Sequence, residues 1–220
     1  MSEMNPGVEA PPPKPRNLAS ELLDRQRLLL MLGVLVIELV IFVSGLVTPI
    51  SSAEQQLIVN QTSSQFTPIQ SASLQEQVVF IFSHNLLIAL TETVPVFGAF
   101  LFVYSVHYTG LVTQAIVASR NLPGLAGLIL FVFPYSLVEL SAYAIAVGSG
   151  VMLIWTAIMK HLVRELKVFA IEVVVIVAVL FTAAAMEAAT SSSLIVGIAL
   201  WIPTGLAIAG LKILSSRTPR

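Results

Sequence analysis

The sequence predicts an all-α protein, a polytopic bundle of about six transmembrane helices with a Pro-kinked or re-entrant segment near Pro134. Three observations predict it. Charged residues make up 10% of the 220 residues against 56% hydrophobic, whereas soluble domains carry roughly 25% charged residues. Mean hydropathy is +0.91. The apolar residues also come in long unbroken runs, not in the 3.6- or 2-residue periods of half-buried elements. A soluble enzyme is excluded on these grounds. A net charge of −1 with 11 Lys+Arg offers no basic surface for nucleic acid. The chain has no cysteine, which removes disulfides, thiolate metal sites and cysteine catalysis.

Residues 1–27 read as a cytoplasmic tail ending in a short juxtamembrane helix. Pro6, Pro11, Pro12, Pro13 and Pro15 make the tail disordered in expectation. Leu18 to Arg27 follows as a lead-in to the first span, capped by Asn17 or Ser20. Residues 28–214 are the transmembrane domain. Leu28 to Val47 is long enough to cross a hydrocarbon core of roughly 30 Å and longer than the apolar region of a cleaved signal peptide. Residues 51–77 are polar, rich in Ser and Gln and free of Lys and Arg, so they form an extracytoplasmic loop by the positive-inside rule. Lys14, Arg16, Arg25 and Arg27 hold the other side in the cytoplasm. Asn60-Gln61-Thr62 matches a glycosylation acceptor, which makes Asn60 a candidate and agrees with an outside location.

Val78 to Met159 is nearly continuous apolar sequence and ends at a basic cytoplasmic loop, 160–167, with Lys160, His161, Arg164 and Lys167. Passing from outside to inside takes an odd number of crossings, and three fit the length. Pro95 and Gly98 mark the first break and Arg120 to Gly124 the second. The remaining stretch, Leu125 to Met159, exceeds one perpendicular span, and Pro134 interrupts it, hence the expected kink or re-entry. Val168 to Met186 is the fifth span and Leu194 to Leu214 the sixth. It leads to a cytoplasmic tail, 215–220, with Lys212, Arg217 and Arg220 nearby. Both termini are therefore expected in the cytoplasm, and the protein in the cell (plasma) membrane.

Five carboxylates fall in or near these runs: Glu38, Glu92, Glu139, Glu172 and Glu187. An acidic residue at a helix centre costs roughly 2.5–3.5 kcal/mol on insertion scales, so each needs a partner, a water-filled cavity or a proton. Local context ranks them. Asn85 and Glu92 share a helical face two turns apart, with His84 on the neighbouring stripe. Glu139 follows Pro134 beside Ser136 and Ser141. Glu187 lies in Ala183-Ala184-Ala185-Met186-Glu187-Ala188-Ala189, where small side chains allow close helix approach. Glu38 and Glu172 have no such neighbours and rank last. The expected intramembrane polar cluster is thus His84, Asn85, Glu92, Pro134, Ser136, Glu139 and Glu187, its carboxylates turned from lipid toward Asn85 and Ser136. His107 and Tyr108 read as interfacial residues. No set of residues matches a catalytic motif, a Gly-rich phosphate loop, or a metal- or cofactor-binding pattern, so the expectation is no enzyme and no cofactor.

From Phe80 to about Thr190 the chain resembles the stage II sporulation protein M family, on three blocks. Ile81-Phe82-Ser83-His84-Asn85, then Ala89 and Gly98, is similar to the family's Phe-x-x-Asn-x-x-x-Ala helix with its downstream glycine, although the family's Asn-Gly is here Thr109-Gly110. Pro134 to Ala142 resembles the Pro-His-Gly-x-x-Glu-x-Pro-Ala signature. Pro134, Glu139 and Ala142 match, and Tyr135, Ser136 and Ser141 replace His, Gly and the second Pro. Ala184 to Thr190 resembles the Ala-Ala-x-x-Glu-x-x-x-Thr ending. The blocks cover about half the chain, and the departures fit a divergent member such as an archaeal one. The resemblance implies a membrane-embedded, non-enzymatic scaffold that positions other membrane or envelope proteins, in spore formers beside cell-wall-degrading partners. The alternative is a permease-like subunit moving a solute, lipid or ion, driven by a separate ATPase. Expected partners are the lipid bilayer, other membrane or envelope proteins and further copies of the chain, with no nucleic acid.

Overall fold

The structure, a computed structural model, describes residues 21–160 and 162–206. All its regular elements are helical. They are α1 (Arg25–Leu46), α2 (Ser52–Gln70), α3 (Leu74–Glu92), α4 (Phe97–Ala118), a 3₁₀ segment (Gly124–Val132), α5 (Pro134–Ile158), α6 (Leu162–Ser192) and α7 (Leu194–Ala199). Four of these, α1, α4, α5 and α6, are long and apolar enough to cross a membrane, and Leu194–Leu206 is a shorter apolar stretch.

The first long helix starts at Arg25, because the Asp24 carboxylate accepts from the Gln26 N–H at 3.1 Å and closes the first turn. Arg25 and Arg27 therefore belong to α1 itself. The caps proposed at Asn17 and Ser20 lie outside the described residues, as do residues 1–20, His161, Lys212, Arg217 and Arg220.

The segment read from sequence as a loop, 51–77, is mostly helix. Ser51 and Glu54 form a reciprocal capping box that starts α2, and Ser73 with Glu76 starts α3 in the same way. In each, the serine donors hold the carboxylate, which keeps the Glu54 and Glu76 pKa below the ordinary carboxylate value. Breaks fall at both places the sequence marks. One lies between Glu92 and Phe97, where Val96 has φ 66°, and the other after Ala118, where Asn121 has φ 59°.

Pro134 does not kink a longer helix. It occupies the first turn of α5, where a missing N–H leaves no bond unmade, and Phe133 before it is extended, as residues preceding proline prefer. The run ahead of it, expected to belong to the same span, is the separate 3₁₀ segment, tied back by the Ser136 hydroxyl donating to the Leu130 carbonyl at 2.9 Å.

Helices α1 and α5 run antiparallel. Glu38 lies near Glu139, and Gly148 packs on Met31. Helices α1 and α4 run parallel and cross at Gly45 and Gly110. A Cβ on Gly45 would sit 2.2 Å from the His107 carbonyl oxygen, and one on Gly110 would sit 2.2 Å from that of Phe42. Only glycine permits this backbone contact. Helix α3 runs antiparallel to α6, joined by Phe82 against Phe181 and by Ser191 donating to Gln77 at 3.0 Å. The packed centre holds Val34, Phe42, Phe102, Tyr143, Ile176 and Leu180.

Polarity is inverted relative to a water-soluble bundle. Phe100 is 74% exposed and Leu87 70%, while Glu38 is 0% exposed and Glu92 and Glu172 are 2%. Apolar rings outside and carboxylates inside is what a hydrocarbon solvent selects.

Candidate functional site

Two polar assemblies occupy the interior, both built from helices far apart in sequence. The first lies toward the Arg25 end. Arg27 donates through Nη2 to both Glu165 oxygens at 2.7 and 2.8 Å and through Nη1 to Glu172 Oε1 at 2.6 Å. The Ser149 hydroxyl donates to the other Glu172 oxygen at 2.8 Å. The three charged side chains are no more than 7% exposed. A planar guanidinium presents its donors as a fork, which is why one arginine can hold two carboxylates at once. This triad joins α1 to α6, and Ser149 adds α5. Below it a cleft of about 210 Å³ is lined by Glu21, Thr156, Arg164 and Glu165, and Arg164 pairs with Glu21.

The second assembly contains no cation among the described residues. Glu38 on α1 is wholly buried, and neither of its oxygens has a hydrogen-bond partner among the described residues. The carboxylates facing it are Glu92, the last residue of α3, and Glu139 on α5. Glu92 accepts from the Ser105 hydroxyl of α4 at 2.8 Å, and its second oxygen is buried without a partner. Glu139 accepts from the Tyr143 hydroxyl at 3.1 Å, one turn along the same helix. The Tyr143 phenol lies within the fields of Glu139, Glu92 and Glu38 together. Glu187 on α6 faces Glu139 and Tyr135 toward the Leu46 end. Five helices thus contribute to one polar strip. Beside Glu92, a cavity of about 50 Å³ is lined by Val94, Pro95, Val147, Gly150 and Ile154.

The sequence-based ranking fares unevenly against this geometry. Glu92, Glu139 and Glu187 do turn toward protein, but their partners are not those expected. Asn85 is half-buried and makes no hydrogen bond to any of them. Ser136 bonds the 3₁₀ segment. His84 is exposed and stacks on Phe80 on the outer face, outside any cluster. Pro134 is buried at the head of α5 and shapes the chain there. Asn60 is exposed on α2. Glu38 and Glu172, ranked last, are among the most buried side chains in the protein. Sequence reasoning missed Arg27, Ser105, Tyr143, Ser149 and Glu165 as members of the site. His107, read as interfacial, meets Ser44 at 3.0 Å across the α1–α4 crossing.

Comparison with known proteins finds no matching family model, no matching curated protein and no matching solved structure.

Proposed function

We propose that the chain is a multi-pass protein of the plasma membrane that serves as an assembly component, holding other membrane or envelope proteins in place without catalysing a reaction. In this reading six spans place both termini in the cytoplasm. The spans are the four long apolar helices, α3, and the stretch beginning at Leu194. The 3₁₀ segment is the broken, partly re-entrant portion between α4 and α5. A divergent kinship with the stage II sporulation protein M family belongs to the same proposal, and rests on the Phe80 to Thr190 blocks alone.

The observation that carries it is α2. This helix is capped by its own sequence and packs on α4, yet Ile58 is its one buried residue. Leu57 is 65% exposed on the same helix. A polar helix that packs on α4 along one side and turns the rest of its surface outward, with Leu57 and Phe66 exposed on it, is offered as the surface for a partner outside the cytoplasm. The test is affinity purification of the full chain in mild detergent with mass spectrometry, beside a variant whose residues 52–70 are replaced by a Gly/Ser linker. Envelope proteins recovered with the parent and lost with the linker variant support the scaffold. The same partners recovered with both refute α2 as the docking element.

A second reading, a permease-like subunit working with a separate ATPase, is favoured by the buried oxygens of Glu38 and Glu92 that have no hydrogen-bond partner among the described residues. A stoichiometric ATPase in the same purification would support it over the scaffold.

A further inference from the structure

A carboxylate buried in a helix bundle ordinarily declares its role through its partner, as Glu165 and Glu172 do through Arg27. Glu38 has no such partner. It is 0% exposed, and both oxygens lack a hydrogen bond among the described residues. It faces Glu92 and Glu139, whose negative charge would repel its own, and the fields of all three reach Tyr143. Among the described residues no arginine or lysine acts on this group. Arg27 lies three turns away on the same helix and is committed to Glu165 and Glu172. The side chains that do donate here, Ser105 to Glu92 and Tyr143 to Glu139, leave Glu38 untouched. Glu38, buried from water with the charges of both Glu92 and Glu139 acting on it, cannot be ionised while they are, because repulsion is barely screened there. Something positive must sit among them.

We propose that Glu38, Glu92 and Glu139 form a proton-binding site inside the bundle, holding at least one proton in common and exchanging it with water through the cavity beside Glu92. A proton fits better than a metal ion. Among the described residues no three His, Asp or Glu side chains close on a common point as ligands of a metal would. The cavity of about 50 Å³ that borders Glu92 exceeds the roughly 30 Å³ that one water occupies in the liquid. Glu92 is the one acid among the cavity's lining residues, so in this proposal it is the group through which the site exchanges its proton. Glu187, facing Glu139 from the Leu46 end, gives the strip a fourth member on the opposite side. Transfer is a simple exchange. The O–H bond of the protonated acid breaks as one forms on the neighbouring carboxylate, and the negative charge moves the other way. This inference is independent of the scaffold reading, since a protein can hold such a proton whether or not it recruits partners.

The test is infrared spectroscopy of the full chain in lipid nanodiscs, in light and heavy water. A carboxylic-acid carbonyl band at neutral pH is expected, shifting on deuteration and losing intensity in Glu38→Gln, with excess sodium or potassium chloride leaving it unchanged. If Glu38→Gln fails to give a monodisperse protein, Glu92→Gln is the second variant and should lose intensity likewise. Absence of the band in the parent at neutral pH would overturn the proposal. A band unaffected by either substitution would place the proton elsewhere and overturn it too, and suppression of the band by sodium would assign the site to a metal cation instead.

Discussion

Replacing Arg27 by methionine tests the ionic triad most directly. The substitution keeps an unbranched apolar stem of similar length and removes the one positive charge between Glu165 and Glu172, held at 2.7 and 2.6 Å. Exposed ion pairs contribute little because water screens them, but here the side chains are 4%, 7% and 2% exposed. Two unit charges about 4 Å apart interact by about 4 kcal/mol at the effective dielectric constant of about 20 that suits such sites. Removing one partner of a buried pair costs roughly 3–5 kcal/mol, much of it the penalty of stranding the other. Arg27→Met should therefore destabilise the bundle by about 3–5 kcal/mol. If stranded charge is the cause, adding Glu165→Gln and Glu172→Gln to the same chain should recover most of the loss. The Glu172 position keeps a hydrogen bond from Ser149 in that triple variant. Unfolding by a denaturing detergent, followed through Trp155 and Trp201 fluorescence, reads both steps. A single variant within about 1 kcal/mol of the parent, or a triple variant no more stable than the single, would refute the electrostatic account.

Gly110→Ala should lose about 1–3 kcal/mol or more, since its Cβ would meet the Phe42 carbonyl oxygen at 2.2 Å. Gly33→Ala, with nothing within 4 Å of the new methyl, should be neutral or stabilising by up to about 1 kcal/mol, and thermal unfolding in detergent ranks the two. Ser51→Ala should raise amide hydrogen exchange in the first turn of α2 about fivefold, the effect of a lost cap worth about 1 kcal/mol. The folded-state pKa of Glu54 is lowered by Ser51, so its share of that protection is present above the ordinary carboxylate value and lost as pH falls through the lowered one. Exchange measured on either side of that range should show the first turn of α2 opening at acid pH while α5 does not. Single cysteines at Ser63 and Arg164, introduced into a chain with none of its own, should label from opposite sides of the membrane. Equal labelling from outside would sink the topology proposed above.

The helical class and the two breaks around Pro95 and Arg120 were readable because they rest on local chemistry, apolar runs ended by Pro, Gly and polar turn residues. Helix α2 was equally local and was passed over. Ser51-x-x-Glu54 and Ser73-x-x-Glu76 are both capping signatures, but the polar, Ser- and Gln-rich composition between them suggested a loop. The interior carboxylates were readable as unusual and not as to rank. Ranking by adjacent residues favoured Glu92, Glu139 and Glu187, which have serines, histidine or small residues beside them. What fixes a buried side chain is its partner in space, and Arg27 lies 138 residues from Glu165 and 145 from Glu172. Nothing near Glu172 in sequence announces that arginine, and Arg27 itself looked like a marker of membrane orientation. Glu38 is the sharper case, since its significance is the lack of a partner among the described residues, which only the packed bundle reveals.

The same separation sets a condition on how the protein is made. A chain emerging from the ribosome exposes α1 with Arg27 long before α6 exists. Until then the guanidinium has no carboxylate to meet and must stay at the membrane surface on its flexible stem. Drawing it inward has to wait for α6, so the inner end of α1 reaches its final depth among the last events of assembly. A nascent protein halted before residue 165 would lack both carboxylates that hold Arg27 and so keep that end of α1 loosely seated.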